Sequence, residues 1–434
     1  MATISSILKF SKSRELQSVA IYTFSNFFNK GVSFLLLFYF IHVLTETDFG
    51  LLSLFSNSIL LLMPFVSMGV LQSANTEFFK LGKKEFKDFF TTTLIMPLMV
   101  MLMAMLLLFF FRGQMQQRYS FPAIFIIIIP LITFFSFVNE HLINMVRNNQ
   151  EPLKYLRVNI GRLMTEILLA VLFISVFNYG WIGRVMAIFL SFLCVTIYSF
   201  YYFKEKQFLF GKISKKYFHD ELFYSVPIIV MQIGIFFMGS SAGYFIEYFT
   251  HDYTAVGIFS VAVTFGSIVL VLCTALLQYV YPKLYTLLSE KEVSYAGIRK
   301  LFLFYAGAML LGTMAVLIAT PLAYTVMLKS SYLPGLQYFY FICIGNFFWS
   351  ISYFFYAFML YQKQKRKILF ASTISIFISI TANYFFIKNM GSYGAALSIS
   401  TIYFLVFITT LLFVRRQVPF LFNLNHVNKS CVIK

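Results

Sequence analysis

Charged residues are scarce in this sequence, and the motifs of chemical catalysis are missing from it. Only 12% of the 434 residues are charged, whereas 60% are apolar, a balance that no water-soluble globular surface accommodates. The four cysteines are dispersed and indicate neither disulfides nor a metal site. The five histidines are also dispersed, without metal-ligand spacing and without a nucleophile elbow beside them. The sequence contains no P-loop. We therefore expect no enzyme, no cofactor and no obvious use of ATP.

Long apolar stretches recur along the chain and predict an all-α integral membrane protein with about twelve transmembrane helices. Each stretch is long enough for the roughly 30 Å hydrocarbon layer. The first follows a basic segment and has no small-residue cleavage site, so it reads as a retained helix. The predicted spans are 17–43, 50–72, 89–111, 121–144, 156–177, 181–203, 222–248, 254–281, 300–327, 335–360, 367–387 and 392–414.

The uneven distribution of basic residues predicts the orientation of these spans. Lys and Arg concentrate before the first span, in the loops on that same side and in the tail. The opposite side carries four of them, Arg112, Arg118, Lys329 and Lys388. The positive-inside rule therefore places both termini in the cytoplasm. Most of the net charge of +18 is then explained by anionic headgroups rather than by nucleic acid.

Three landmarks recur in the same order and indicate an internal duplication of six helices. The pairs are Tyr39–Ile41 with Tyr244–Ile246, Gly50–Ser53 with Gly257–Ser260, and Gly180–Arg184 with Gly391–Ala395. The first two pairs flank short acidic loops, and the third opens the sixth and twelfth spans. Because six is even, both halves enter the membrane from the same side, so we expect a pseudo-two-fold axis along the membrane normal.

The duplication predicts two six-helix bundles with a cavity between them. We expect an N-terminal bundle over 1–203, a cytoplasmic linker over 204–221, a C-terminal bundle over 222–414 and a cytoplasmic tail over 415–434. Rocking of the two bundles would open the cavity to each side in turn, which is alternating access.

Segments in both halves resemble a known family. The first span contains Ser25–Gly31, the next loop reads Leu44–Gly50, and Gly-x-x-Gly turns precede spans six and twelve. The sequence is similar to the polysaccharide-export branch of the multidrug/oligosaccharidyl-lipid/polysaccharide (MOP) superfamily, the Wzx-type O-antigen or capsule repeat-unit flippases. The resemblance extends over nearly the whole chain in helix number and layout and implies a MATE-like fold.

The resemblance also implies a substrate and a cellular setting. The substrate would be an undecaprenyl-diphosphate-linked oligosaccharide, delivered to the outer leaflet for O-antigen, lipopolysaccharide, capsule or exopolysaccharide biosynthesis. The location would be the bacterial inner membrane, with membrane lipid, glycan polymerase and chain-length proteins as candidate partners. Coupling to an H⁺ or Na⁺ gradient would be the candidate driving force.

Lys30 is the most conspicuous ionisable residue inside a predicted span. It lies near the middle of the first span, where a charge costs about 2.5 to 3.5 kcal/mol on insertion scales. Tyr22, Asn26, Asn29 and Ser33 share its helical stripe, so we expect the stripe to face the cavity. Lys30 would dock a diphosphate or an acidic sugar; the alternative is a purely structural pair with a carboxylate.

Arg162 and Glu166 are spaced to lie on one face of the fifth span, with Asn159 three residues before the arginine. They are predicted to pair, with Arg162 offering a forked donor to phosphate and Glu166 either exchanging protons, as a candidate for ion coupling, or tuning the arginine. In the alternative interpretation, Arg162 reaches the cytoplasmic headgroups.

The seventh span, the repeat partner of the first, is predicted to line the opposite wall with Gln232 and Ser240. Glu247 is a further candidate for ion coupling, although its place near the external end favours an interfacial role. Anchoring at helix ends is predicted for three other residues, Glu140, His141 and Arg184.

Two other functions fit an apolar chain of this kind. A cation-coupled multidrug exporter of the same superfamily would need carboxylates in its cavity, whereas the first span carries Lys30 and no acid. A membrane glycan polymerase would need a sizeable external loop for its chemistry, and the predicted external loops are short. The sign of the buried charge therefore favours an anionic cargo.

Overall fold

Apolar helices make up most of this computed structural model. It describes residues 14–119, 121–289, 295–362, 364–415 and 418. The contacts divide the chain into two compact units, Met1–Ile229 and Val230–Lys434. The predicted bundle limits at 203 and 222 stay predictions.

The first unit contains seven described helices and the first part of an eighth. They are α1 (Arg14–Val43), α2 (Glu46–Ser67), α3 (Val70–Glu77), α4 (Lys83–Tyr119), α5 (Ala123–Asn148), α6 (Pro152–Val171, prolonged by a π-helical turn, Leu172–Val176), α7 (Gly180–Glu205) and α8 (Lys215–Gly239).

The second unit continues α8 and contains the remaining described helices. They are α9 (Ala242–Thr250), α10 (Tyr253–Gly266), α11 (Ile268–Ser289), α12 (Tyr295–Met327), α13 (Gly335–Tyr361) and α14 (Lys365–Val414), with a 3₁₀ turn, Ser330–Tyr332, before α13.

Ten stretches in the described part of the chain are long and apolar enough to cross a bilayer. The last of them lies in α14, whose 50 residues would extend about 75 Å if straight, more than twice the hydrocarbon thickness. The backbone leaves the helical conformation at Gly391, so α14 holds two spans. With α1, these stretches account for the twelve predicted spans, and the prediction of an all-α membrane protein is confirmed.

The first glycine of each Gly-x-x-Gly motif has the same unusual backbone conformation. Gly180 has φ +54° and Gly391 has φ +56°. A side chain is strained in this left-handed region, which glycine enters freely. The duplicated sequence motif therefore corresponds to a duplicated turn.

The second glycine of each motif lets two consecutive helices approach closely. A Cβ added at Gly183 would lie 3.0 Å from the backbone carbon of Phe173, at the end of the preceding helical segment. At Gly394 an added Cβ would collide with the carbonyl oxygen of Phe386. In a straight helix, residues eight apart are about 12 Å apart along the axis, so the chain reverses between Phe386 and Gly394.

The two acidic loops serve as helix caps. Thr45 and Asp48 form a capping box at the start of α2, and the amide of Asp48 donates to the Thr45 hydroxyl at 3.1 Å. Asp252 caps α10 by accepting from the amide of Thr254 at 2.8 Å. The acids at these landmarks therefore have a structural role.

Three predicted continuous spans are interrupted, and the eighth divides at Ser267, between α10 and α11. The second breaks after Ser67, where Met68 (φ +46°) and Gly69 (φ +71°) adopt left-handed conformations. The seventh breaks between α8 and α9, at Ser240 and Ser241. An uninterrupted apolar run conceals such breaks because hydropathy does not register a local change of backbone direction.

Large apolar side chains cover the outer surface of several helices. Met103 and Phe110 on α4 are 68% and 73% exposed, and Ile318 on α12 is 78% exposed. Extensive apolar exposure of this kind suits contact with lipid rather than water. The third predicted span, 89–111, forms the central part of a longer α4.

His141 lies inside the first unit, so its predicted anchoring role is wrong. It has no exposed surface, and its ring stacks on Phe90 and Phe137 at 4.7 and 5.6 Å between centroids. Neither ring nitrogen has a hydrogen-bond partner among the described residues. The histidine is a core residue of an aromatic cluster.

Candidate functional site

A carboxylate held by two arginines lies about midway along a candidate membrane span of the first unit. Glu166, about midway along the span formed by α6, accepts a hydrogen bond of 2.5 Å from Arg162 one turn earlier. Its other oxygen accepts a hydrogen bond from Arg184 on α7. Two guanidinium groups share one carboxylate, so this arginine cluster carries a net positive charge.

Aromatic faces and burial keep the cluster away from bulk water. Arg184 lies over the ring of Phe40 at 4.7 Å, and Arg162 lies over Phe192 at 5.1 Å. The side chains of Glu166, Arg184 and Arg162 are 9%, 13% and 20% exposed. Charges in such surroundings interact more strongly than they do in water.

Arg184 retains an unused donor. Its Nη1 atom is buried and has no hydrogen-bond partner among the residues that the structure describes. Leaving a buried donor unpaired costs about 1 to 3 kcal/mol, and more when the group is charged. The site is therefore suited to an anionic acceptor.

The polar stripe of α1 lies beside this cluster. The Asn29 amide donates to the side-chain oxygen of Asn159 on α6 at 3.3 Å, and the hydroxyls of Tyr39 and Ser175 hydrogen-bond farther along the same two helices. The contacts pair Asn29 with Asn159 and Tyr39 with Ser175, so the residue numbers increase in the same direction along both helices and α1 runs parallel to α6. The predicted site residues Asn26 and Lys30 belong to α1, but their side chains lie outside the described residues.

The sequence predicted the Arg162–Glu166 pair but missed the second arginine. Arg184 was assigned to anchoring because it lies near the start of a span, and its ion pair with Glu166 shows that this assignment is wrong. The two residues are eighteen positions apart on different helices. The tight turn at Gly180 was the one signal in the sequence that α6 and α7 lie side by side.

The second unit has no charged counterpart of the cluster at the corresponding described positions. Phe173 and Phe386 contact the second glycine of the two motifs and are 213 residues apart. The same displacement relates Arg162 to Ser375 and Glu166 to Ser379. Both serines are buried and bond to backbone carbonyls of their own helix. At these positions, the second unit has neutral hydroxyl groups in place of the charged pair.

A neutral polar network occupies the second unit instead. Asn383 donates to the Ser241 hydroxyl at 3.0 Å and accepts from Ser398 at 2.5 Å. Ser240 lies in the turn between α8 and α9, and Gln232 on α8 has a buried Oε1 with no hydrogen-bond partner among the described residues. Each of these predicted wall residues keeps its cavity role as a prediction.

Glu247 lies inside the second unit rather than at its surface. It is 2% exposed, and its carboxylate lies 3.9 Å from the imidazole of His251, whose side chain is 71% exposed. Glu247 lies one turn before the end of α9, and both its predicted interfacial position and its role in ion coupling stay predictions. The described residues contain no group of His, Cys, Asp and Glu arranged to hold a metal ion.

Comparison with solved structures identifies the fold. Similar chains include an inward-facing multidrug resistance MATE family transporter of the MOP superfamily, with TM-score 0.68, 14% identity and coverage of 88% of this chain and 93% of that one. The lipid II flippase MurJ in an inward closed conformation has a TM-score of 0.66 and 14% identity, and the match covers 91% of this chain and 87% of that one. The MATE multidrug transporter DinF-BH has a TM-score of 0.62 and 15% identity, and the match covers 93% of this chain and 96% of that one.

These likenesses define an all-helical membrane protein with the transporter fold of the MOP superfamily. The sequence matches the family model described as polysaccharide biosynthesis protein over residues 16–288, more than half of the chain. The chain belongs to that family, and the resemblance to the polysaccharide branch of the superfamily is confirmed. No curated protein matches the sequence.

Proposed function

We propose that this protein is a flippase that moves a polyprenyl-diphosphate-linked oligosaccharide repeat unit from the cytoplasmic to the outer leaflet of the inner membrane. Transport would proceed by alternating access, in O-antigen, capsule or exopolysaccharide biosynthesis. The observation that carries the proposal is the arginine cluster, in which Arg162 and Arg184 share the carboxylate of Glu166. Membership of the polysaccharide biosynthesis family supports the same cargo.

The chemistry of the cluster suits a diphosphate. A guanidinium group presents a planar fork of donors that matches two phosphate oxygens, and Arg184 has a buried donor free among the described residues. The net positive charge attracts an anion. We expect Lys30 on the neighbouring helix to add a further positive charge, as its position in the sequence predicts.

Glu166 would keep this attraction reversible. A cargo must bind strongly enough to leave water and weakly enough to be released on the other side. Because the carboxylate already occupies one donor of each arginine, an incoming phosphate competes with it instead of meeting two bare cations. A proton on Glu166 would remove that competitor, which makes this residue the first candidate for coupling to H⁺.

A multidrug exporter is the second candidate, because MATE transporters share the fold. The buried carboxylate of Glu247 would then hold a cation in the second unit. Against this candidate, the arginine cluster repels the positively charged cargo that such a carboxylate would attract.

Reconstitution into liposomes tests the proposal. We expect the purified protein to move a fluorescent undecaprenyl-diphosphate sugar between leaflets, measured by quenching of the dye with a membrane-impermeant reductant. Arg184→Ala should slow the movement by about 10- to 100-fold, the effect of a lost charged hydrogen bond. Arg184→Lys should retain part of the rate because it keeps the charge without the fork.

Arg112→Ala is the matched control. Arg112 is a basic residue of the same unit that packs over the ring of Phe109 at 4.0 Å, away from the cluster. Its loss should leave the rate unchanged. Equal rates for wild type, Arg162→Ala and Arg184→Ala would refute the proposal, and movement of ethidium without movement of the lipid would identify a drug exporter.

A further inference from the structure

A cavity lined by carboxylates opens in the first unit, apart from the arginine cluster. It has a volume of about 560 Å³ and lies where the end of α3, the start of α4 and the start of α8 meet, on the predicted cytoplasmic side. Four acidic residues line it, Glu77, Glu85, Asp220 and Glu221. They are a quarter of the 16 acidic residues in the chain. This acidic cavity is therefore a local concentration of acidic groups in a protein with a net charge of +18.

Glu221 is the residue of the acidic cavity that most requires a partner. It is 3% exposed, and its Oε1 atom is buried with no hydrogen-bond partner among the described residues. The Ser73 hydroxyl hydrogen-bonds to the Glu221 carboxylate, and the like-charged Glu77 lies near it. A buried carboxylate without a nearby cation is unfavourable, and a donor-bearing cation in the cavity would relieve it.

The lysines of the cavity do not meet this need. Lys80 pairs with Glu77 at 3.0 Å, and its side chain is 61% exposed. Lys216 lines the cavity and is exposed. The four carboxyl groups that line the cavity therefore outnumber its two ammonium groups.

The walls of the cavity suit an organic cation. Phe89, Tyr217 and Tyr224 line it beside the carboxylates. Aromatic faces attract ammonium groups and cover methylene chains, and a cavity of a few hundred cubic ångströms is the ordinary size for a small organic ligand.

We propose that the acidic cavity binds an aliphatic polyamine, with one ammonium group on the Glu221 carboxylate and another toward the exposed Asp220. The chain of such a ligand would lie along the aromatic side chains. The site would hold the start of α8 against α3, because Glu221 belongs to α8 and Glu77 ends α3. This inference is independent of the proposed transport of a lipid-linked glycan.

Binding of spermidine to the full-length protein in detergent tests the inference, by equilibrium dialysis at low salt. We expect saturable binding by the wild type and a loss of at least about tenfold in affinity for Glu221→Gln, the loss of one charged hydrogen bond. Asp220→Asn should weaken binding less, since Asp220 is exposed. Glu205→Gln, which removes an acid whose side chain is 48% exposed outside the cavity, should bind as the wild type does.

Three results would overturn the inference. They are no saturable binding by the wild type, equal affinity for the wild type and Glu221→Gln, and displacement by Mg²⁺ as effective as displacement by unlabelled spermidine. Thermal unfolding without ligand checks that each variant is folded. Should Glu221→Gln fail that check, an unchanged affinity in Asp220→Asn/Glu77→Gln would overturn the inference in its place.

Discussion

Asn29 on α1 donates a hydrogen bond of 3.3 Å to the side chain of Asn159 on α6, three residues before Arg162. This bond fixes the register of α1 beside the arginine cluster. The helix that carries Lys30 therefore packs against the helix that carries Arg162 and Glu166.

Lys30→Ala is expected to reduce glycan export by about 10- to 100-fold while the protein remains inserted and abundant. The reason is the loss of a positive charge near the middle of the first span. Arg162→Ala should reduce export less, because Arg184 remains. Surface glycan in complemented cells provides the measurement, and Lys30→Arg serves as the charge-keeping control. Normal export by Lys30→Ala would remove Lys30 from the site.

Glu166→Gln is expected to lower the free energy of unfolding by about 3 to 5 kcal/mol, because two buried guanidinium groups lose their counter-charge. The double variant Glu166→Gln/Arg184→Gln should recover part of the loss. Lys80→Gln breaks an ion pair whose lysine is 61% exposed and should cost about 0 to 1 kcal/mol. Denaturant unfolding in detergent measures all three, and a Glu166→Gln variant as stable as the wild type would contradict the buried pair.

Alanine substitutions should distinguish glycines that lie against the backbone of another helix from a glycine that has free space beside it. Gly183→Ala and Gly394→Ala are expected to destabilise by about 1 to 3 kcal/mol, since each added methyl group meets the backbone of the preceding helix. At Gly307 an added Cβ meets nothing within 4 Å, so Gly307→Ala should be neutral or stabilising by up to about 1 kcal/mol. If the thermal midpoint falls equally for all three variants, the close helix contacts at Gly183 and Gly394 do not contribute to stability.

Glu151, in the loop before α6, is expected to make stability depend on pH. Burial alone would raise the pKa of this carboxyl, but hydrogen bonds from Lys206 at 2.6 Å and Tyr202 at 2.9 Å lower the pKa below its ordinary value of 4.5. A group with a lowered pKa in the folded state stabilises the protein above pH 4.5, and this contribution is lost as the pH falls through the folded-state value.

The difference in thermal midpoint between the wild type and Glu151→Gln should therefore be largest near neutral pH and shrink in acid. Glu205→Gln provides the control, because its nearest described ion-pair partner, Lys154, is 3.8 Å away. A difference that grows on acidification would have the wrong sign for this mechanism.

His141→Leu is expected to leave stability unchanged or raise it. The substitution removes two buried nitrogens that have no partner among the described residues, each worth about 1 to 3 kcal/mol. It also sacrifices the ring stacks on Phe90 and Phe137, each worth about 0.5 to 1.5 kcal/mol. His141→Ala should instead destabilise by about 2 to 5 kcal/mol through the cavity it leaves. Unfolding in detergent distinguishes the two, and a large loss for His141→Leu would reveal a polar partner of the imidazole.

Local periodicity explains which parts of the site were predictable. Arg162 and Glu166 are one helical turn apart, so their pairing follows from the geometry of a single helix. The duplicated turns were predictable because glycine adopts a positive φ without strain, as at Gly180 and Gly391. The breaks at Met68 and Ser240 were not predictable, because apolar residues tolerate both a helix and its interruption.

The sequence by itself determined that this chain is an all-α membrane protein with many apolar helices, that three landmarks recur in the same order in its two halves and that basic residues fall inside the predicted spans of its first half. These properties depend on composition, run length and short-range spacing. The tertiary structure decided that Arg184 meets Glu166, that His141 lies in an aromatic core and that Glu221 lines an acidic cavity. A helical period of 3.6 residues fixes which side chains share a face, but the neighbour of that face is chosen by packing among distant helices.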